Sequence, residues 1–187
     1  MIVIGTSLGG LHALRLVLEG LTPGFPRAVA IVQHRVKSAE SGLCGLLQRN
    51  CAIPILEPED KEPLMSGRVY LAPADYHLLV EPESLALSTD APVNYARPSI
   101  DVLFESAAAT HGAGVLGVVL TGSNEDGAQG AKAILDAGGQ VLIQDPKSAE
   151  SAIMPEAALS LTGAERSYSL VQIRDELARR SIALSQK

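Results

Sequence analysis

The chain has 187 residues, enough for one domain with a substantial core, and 47% of them are hydrophobic. Only 3% are aromatic, none of them Trp, and the formal net charge is -6, which argues against a base-stacking platform and against a generally basic surface for nucleic acid or anionic lipid. No apolar run reaches about 18 residues and no signal-like segment opens the chain, so a cytoplasmic protein without membrane insertion is expected.

The first eleven residues read as strand, turn and helix. Met1-Ile2-Val3-Ile4 is an apolar run ended by Gly5, and from Leu11 the apolar residues Leu14, Val17 or Leu18, and Leu21 follow at helical spacing. Ser7 lies in the turn, at the sheet edge where α/β proteins bind ligands, with Gly5, Gly9 and Gly10 leaving room for the backbone and a substrate. Gly5-x-Ser7-x-Gly9 fits the nucleophile-elbow pattern, but a glycine-rich first turn also suits anion or nucleotide binding, or serves as a turn alone. The sharper nucleotide motifs G-x-G-x-x-G and G-K-[ST] are absent.

A second strand over 28–32 runs into Gln33-His34, which puts His34 on the same edge as Ser7. Neighbouring strands lie about 5 Å apart, so the two side chains can meet, although a histidine here also reads as a surface or capping residue. Arg35 and Lys37 either give this rim a positive character suited to an acidic substrate or form a solvated face. Cys44 and Cys51 read as two core cysteines; no disulfide, metal-ligand set or cofactor is expected. A helix over 43–47 precedes a strand over 53–56, in which Pro54 indicates an edge or first position.

Short strands over 67–73, 77–80 and 85–88 break the βα rhythm and predict an antiparallel appendage to the sheet, with His77 structural. The polar segment 90–99 is long enough to line a site. It leads into a helix over 99–110, with Ser99 as N-cap, Asp101 in the first turn, and Ile100, Leu103, Phe104 and Ala107 as the buried stripe. The apolar run 115–121 predicts a central strand ending in Gly122-Ser123-Asn124-Glu125-Asp126-Gly127, a second glycine-rich turn whose acids suit either a site or an N-cap. A helix over 128–136, a strand over 140–144, a helix opened by Met154-Pro155-Glu156, a short strand over 168–170 and a terminal helix complete the chain. The expected architecture is one three-layer α/β/α domain over 1–187, with a doubly wound, mainly parallel sheet and a small antiparallel hairpin.

Ser7, His34 and an acid of the second glycine turn each follow a strand, and together they offer the nucleophile, base and orienting carboxylate of acyl transfer. The chain order Ser, His, Asp disfavours an ordinary α/β-hydrolase, whose order is Ser, Asp, His.

Five separated segments carry a family resemblance: Ile4-Gly5-Thr6-Ser7-Leu8-Gly9-Gly10, Val32-Gln33-His34, Tyr70-Leu71-Ala72-Pro73-Ala74-Asp75-Tyr76-His77-Leu78-Leu79, Arg97-Pro98-Ser99-Ile100-Asp101-Val102-Leu103-Phe104, and Leu120-Thr121-Gly122-Ser123-Asn124-Glu125-Asp126-Gly127. In this order, from residue 2 to about residue 160, the chain resembles the catalytic domain of the chemotaxis protein-glutamate methylesterase CheB family. The resemblance implies a cytoplasmic bacterial enzyme that hydrolyses γ-glutamyl methyl esters on the cytoplasmic helices of methyl-accepting chemotaxis receptors, releases methanol, and in many members deamidates receptor glutamines. It places the nucleophile on Ser7, the base on His34 and the orienting acid on Asp126 rather than Glu125. Thr6, Leu8, Gly9, Arg35, Arg97, Ser123 and Asn124, in or beside these turns, are the expected oxyanion- or substrate-lining positions.

The family's usual receiver domain is not in this chain, which implies a stand-alone homologue or an excised domain, with a separate receiver protein as a possible regulator. Leu8 stands where the family has Thr, Ser123 where it has Met, Asn124 where it has Gly, and Arg35-Val36 where it has Met-Pro; the phenylalanine-rich segment is replaced around 39–43. Arg35, Lys37 and Arg97 are the positive groups expected to meet an acidic methylation helix. The competing readings are a catalytically weak homologue that binds a partner through the same pocket and, more distantly, a phosphate-binding α/β protein.

Overall fold

The computed structural model describes residues 1–35 and 42–182. Six strands form one parallel sheet in the order β3-β4-β2-β1-β7-β8: β1 Ile2–Thr6, β2 Val29–Gln33, β3 Ile55–Leu56, β4 Val69–Leu71, β7 Leu116–Val119 and β8 Gln140–Ile143. From β1 the chain moves outward to β2 and on to edge strand β3, comes back to place β4 between them, and then crosses to β7 on the other side of β1. The order therefore reverses between β1 and β7, and such a switch point opens a crevice at the carboxyl ends of the strands.

Strand alternation feeds two apolar layers. Ile2 and Ile4, Val29 and Ile31, and Leu116 and Val118 face helices α1 (Gly10–Leu18) and α6 (Leu170–Ile182) and the short α2 (Leu43–Gln48). Val3, Ala30 and Val32, and Val119 face α3 (Ile100–His111), α4 (Ala128–Asp136) and α5 (Ile153–Thr162). Strands covered on both faces read as continuous apolar runs, which is why 28–32 and 115–121 were conspicuous in the sequence. Each fully buried Val, Leu or Ile contributes roughly 1.5–3 kcal/mol from area removed from water. A sheet lined with such residues fixes the strand ends that carry the turns.

The three-layer architecture is the one the sequence indicates, with two corrections. The strand over 67–73 does not join an antiparallel appendage: β4 is an interior parallel strand between β3 and β2. Only β5 (His77–Val80) and β6 (Leu85–Ser88) form the hairpin, a separate two-stranded sheet tied to α3 by Val80 N–H donating to Ser106 Oγ (3.0 Å) and Thr110 Oγ1 donating to Val80 O (3.0 Å). The strand expected over 168–170 reduces to one parallel bridge between Gln144 and Tyr168, because α6 already begins at Leu170. Pro54 immediately precedes edge strand β3, in keeping with its missing N–H. Cys44 is half-buried and Cys51 buried, both are free thiols, and burial raises both above the ordinary thiol range. Lys37 and residues 39–41 of the altered segment lie outside the described residues.

Candidate active site

The parallel register sets the site. Thr6 pairs with Gln33, and His34 N–H donates to Thr6 O (3.0 Å), so Ser7 and His34 leave neighbouring strands side by side. Ser7 then enters a tight turn: its carbonyl accepts from Gly10 N–H (3.0 Å), and Gly9 has φ 79° and ψ -3°, the third position of a type II turn. That left-handed conformation favours glycine, and it lets Gly9 end the turn and begin α1 in one residue. A clamp holds the two strand ends together, as Gln33 Nε2 donates to both Ser7 O (2.8 Å) and His34 O (3.1 Å).

Asp126 comes from the loop after β7 and is wholly buried. Its Oδ2 accepts from His34 Nε2 (2.7 Å) and Ile100 N–H (2.7 Å), and its Oδ1 from Ser99 Oγ (2.8 Å) and Asp101 N–H (3.1 Å). The carboxylate thus sits on the first turn of α3, where free N–H groups and the helix dipole favour negative charge. Burial acts to raise Asp126, but the bonds from His34, Ile100 and Asp101 outweigh it and hold the acid below the ordinary carboxylate range. With Nε2–H given to Asp126, His34 keeps Nδ1 as its basic nitrogen. Glu125 is exposed and leaves the inner position to Asp126.

The capping is reciprocal. Asp101, in the first turn of α3, does not serve its own helix: its Oδ1 accepts from Gly127 N–H (2.9 Å) and Gly130 N–H (2.7 Å) at the start of α4, and its Oδ2 from Asn94 Nδ2 (3.0 Å). Each of two buried acids caps the other's helix, which locks the Asp126 loop against α3. Burial pushes Asp101 up to about 6, with the neighbouring Asp126 charge adding to the rise. An acid raised in the folded state binds more protons folded than unfolded between 3.8 and about 6, so its contribution to stability falls as pH rises through that window. Asp101→Asn keeps an acceptor for the α4 amides and removes the titration. Thermal melts of the variant should therefore depend less on pH between 4 and 7 than those of the wild type; equal slopes would contradict this account.

Ser7 and His34 line one cleft of about 630 Å³, with Leu8, Gly9 and Ser123 beside them. Among the described residues, Ser7 Oγ makes no hydrogen bond, to His34 or to any other group, while the imidazole is pinned from the Asp126 side. Catalytic contacts are often loose without substrate. The N–H groups of Leu8 and Ser123 likewise have no acceptor among the described residues, and both stand at the rim of this cleft. Among the described residues no group of three or more His, Cys, Asp or Glu could hold a metal ion, and no helix is long and apolar enough to cross a membrane.

Several sequence expectations are redrawn. Thr6 does not line the cleft: its side chain is wholly buried and its hydroxyl donates to Thr121 O (2.8 Å). Arg35 pairs with Glu57 (2.5 Å) and donates to Ala72 O (2.8 Å). Arg97 pairs with Asp75 (2.6 Å) and donates to Thr89 O and Asp90 O; both arginines line a groove beside His34, with their charge paired within the fold. Asn124 accepts from Asp126 N–H through Oδ1 (3.3 Å) and supports the loop. The cleft wall also contains His12 and Arg15 of α1, and Glu150, whose side chain lies against Gly9 in the space a Cβ would fill. His12 and Arg15 were detectable as the polar i, i+3 pair directly after the Ser7 turn; nothing local marked Glu150.

Residues 2–177 match the family model described as CheB methylesterase. The chain belongs to the CheB methylesterase family. It is 43% identical over 175 residues to a Leptospira interrogans protein provisionally named protein-glutamate methylesterase/protein-glutamine glutaminase, covering 93% of this chain and 91% of that one. A protein-glutamate methylesterase/protein-glutamine glutaminase of Anaeromyxobacter dehalogenans is 42% identical over 166 residues; the match covers 89% of this chain and 49% of that protein, about half its length. The crystal structure of the Thermotoga maritima CheB methylesterase catalytic domain superposes with a TM-score of 0.91 at 28% identity, covering 95% of this chain and 96% of that one. The fold of this CheB-family chain, hairpin included, is thus that of the family's catalytic domain.

Proposed function

We propose that this chain is a protein-glutamate methylesterase that hydrolyses γ-glutamyl methyl esters on the cytoplasmic helices of chemotaxis receptors, and that the same site deamidates glutamine. The observation that carries the reading is the buried His34–Asp126 contact (2.7 Å) at the switch-point cleft that Ser7 also lines. That the substrate is a protein glutamyl methyl ester or glutamine comes from what the relatives are named for; the receptor, the cytoplasmic setting and regulation by a separate receiver protein follow from the motif resemblance alone.

In this mechanism His34 Nδ1 takes the Ser7 hydroxyl proton as Oγ attacks the ester carbonyl, and the Asp126 carboxylate stabilises the imidazolium that forms. The tetrahedral oxyanion is received by the N–H groups of Leu8 and Ser123, each such donor being worth on the order of 10²–10³ in rate. The C–O bond to the methoxy group breaks as the imidazolium returns its proton, giving methanol and a glutamyl ester on Ser7. Water, deprotonated by the same nitrogen, then releases the glutamate carboxylate; with an amide substrate, ammonia leaves in place of methanol.

The test is methanol release from methylated receptor, run beside a small generic ester. Turnover of receptor supports the proposal, and turnover of the generic ester alone would mean an esterase of other specificity. Tight receptor binding without turnover of either would favour a binding homologue, the reading to which the unmade Ser7–His34 bond lends weight. Because the Ser123 backbone N–H survives replacement of the side chain by methionine, Ser123→Met should alter kcat within about tenfold. A loss as large as that of Ser7→Ala would make the Ser123 hydroxyl an essential donor.

A further inference from the structure

The segment between β6 and α3 ends in a feature the mechanism does not use. Val93 and Ala96 exchange both backbone hydrogen bonds (3.1 and 2.9 Å), and the two residues between them, Asn94 and Tyr95, have φ 49° and 62°. Two positive-φ residues inside a closed two-residue loop define a type I′ turn, whose favoured sequence is Asn-Gly. Asn94 suits the first position. The second, where a side chain is strained and glycine is not, holds a tyrosine, and that tyrosine is wholly exposed.

The turn is firmly rooted. Arg97 Nε and Nη2 grip Asp75 Oδ1 (3.1 and 2.6 Å), and Nη1 donates to Thr89 O (2.7 Å) and Asp90 O (2.9 Å). Asn94 Nδ2 donates to Asp101 (3.0 Å), the same carboxylate that accepts from Gly127 N–H beside Asp126. Tyr95 is therefore held in register with the acid loop. It borders a groove of about 380 Å³ that shares His34 with the Ser7 cleft and also contains Asn124.

Resting on the methylesterase reading, we propose that Tyr95 is the aromatic anchor that docks the helical protein substrate beside the scissile ester. An α-helix is about 10–12 Å across, so a helix that inserts one glutamyl side chain between Ser7 and His34 lays its flank over the rim next to His34. The groove that begins at His34 puts Tyr95 on that rim. Tyrosine supplies a large, stiff contact that can also hydrogen-bond, the type of residue that concentrates binding energy at protein interfaces. It adds nothing to the fold at full exposure in a position that favours glycine, so its presence is explained by an external contact. A small ester needs only the Ser7 cleft, whose lining does not include the turn.

Tyr95→Gly separates this role from structure, because glycine relieves the turn and leaves every anchoring bond in place. Steady-state hydrolysis of a methylated receptor fragment and of a small glutamyl methyl ester would be measured for wild type, Tyr95→Gly and Tyr95→Phe. Binding of the fragment would be measured in parallel with Ser7→Ala as background, so that docking is read even without turnover. The expected result for Tyr95→Gly is a melting temperature equal to or above wild type, KM and Kd for the receptor fragment raised about tenfold, and kcat within twofold. Tyr95→Phe should fall between the two, and small-ester kinetics should hold. An unchanged receptor KM and Kd would overturn the anchor while leaving the methylesterase intact, as would an equal loss on the small ester, or a change only in self-association. Absence of turnover by the wild type, with Kd still weakened by Tyr95→Gly, would sink the methylesterase reading and retain the docking surface.

Discussion

Ser7→Ala is expected to lower methanol release from methylated receptor by at least ~10⁴-fold, the scale on which removal of a nucleophile that acts as one unit with its base is felt. The variant should fold as the wild type does. Ser7 is held by its backbone, with N–H donating to Thr121 O (3.0 Å) and the carbonyl accepting from Gly10 N–H (3.0 Å) and Gln33 Nε2 (2.8 Å), and alanine keeps all three. Because Ser7 Oγ has no partner among the described residues, its removal strands no buried group, and the melting temperature should stay within a degree or two. His34→Ala should cost about as much activity, since nucleophile and base are not additive. Receptor binding by Ser7→Ala should persist. Retention of turnover within tenfold of wild type would remove Ser7 from the chemistry, and with it the reading of the cleft as an acyl-transfer site.

Much of this was legible because it is local. The Ser7 and Asp126 turns follow apolar runs bounded by glycines, which read as two-sided buried strands, and parallel pairing then brings both turns to one edge. Strand alternation carries more than the motifs alone suggest: with Ile2 and Ile4 on one face of β1, Thr6 belongs to that inward-facing row, and its burial follows from period two. What could not be read is long-range. Arg35 and Arg97 looked like free cations because Glu57 and Asp75 are 22 positions away along the chain in each case, and pairing across that distance is decided by tertiary packing. The exchange of caps between α3 and α4 is of the same kind. Asp101 carries the ordinary signature of a first-turn acid, and only the close approach of the two helices shows that its carboxylate serves the neighbour. The hairpin was recognisable from its two strands, but β4 was hidden among them: three residues give no periodicity to separate a buried parallel strand from an antiparallel one.

Asp126→Asn should reduce kcat on the order of 10³–10⁴-fold with little change in KM, because the carboxylate acts on the base rather than on bound substrate. The bonding at Asp126 shows why an amide cannot replace it. All four groups around the carboxylate reach it as donors: His34 Nε2–H and Ile100 N–H at one oxygen, Ser99 Oγ–H and Asp101 N–H at the other. An NH₂ at the first position faces the Ile100 amide and drives His34 to the tautomer with the proton on Nδ1, which can no longer accept from Ser7. Turned the other way, the NH₂ faces Asp101 N–H; Ser99 can rotate to accept, but the imidazolium formed in the reaction has lost its counter-charge. Either orientation leaves a buried N–H unpaired, at a cost of roughly 1–3 kcal/mol. At about 2–4 °C per kcal/mol for a domain of this size, the melting temperature should fall measurably at neutral pH. The sign of the pH dependence follows from the direction of the shift. Asp126 is held below its ordinary value of 3.8 in the folded state, so its stabilisation is present above that value and is lost as pH falls through the lower folded one. The gap between wild type and Asp126→Asn should thus be widest near pH 7 and narrow towards pH 3. Glu125→Gln, at the exposed neighbour, is the control: kcat within about twofold and no change in melting. A large loss with Glu125→Gln and a small one with Asp126→Asn would reassign the orienting acid.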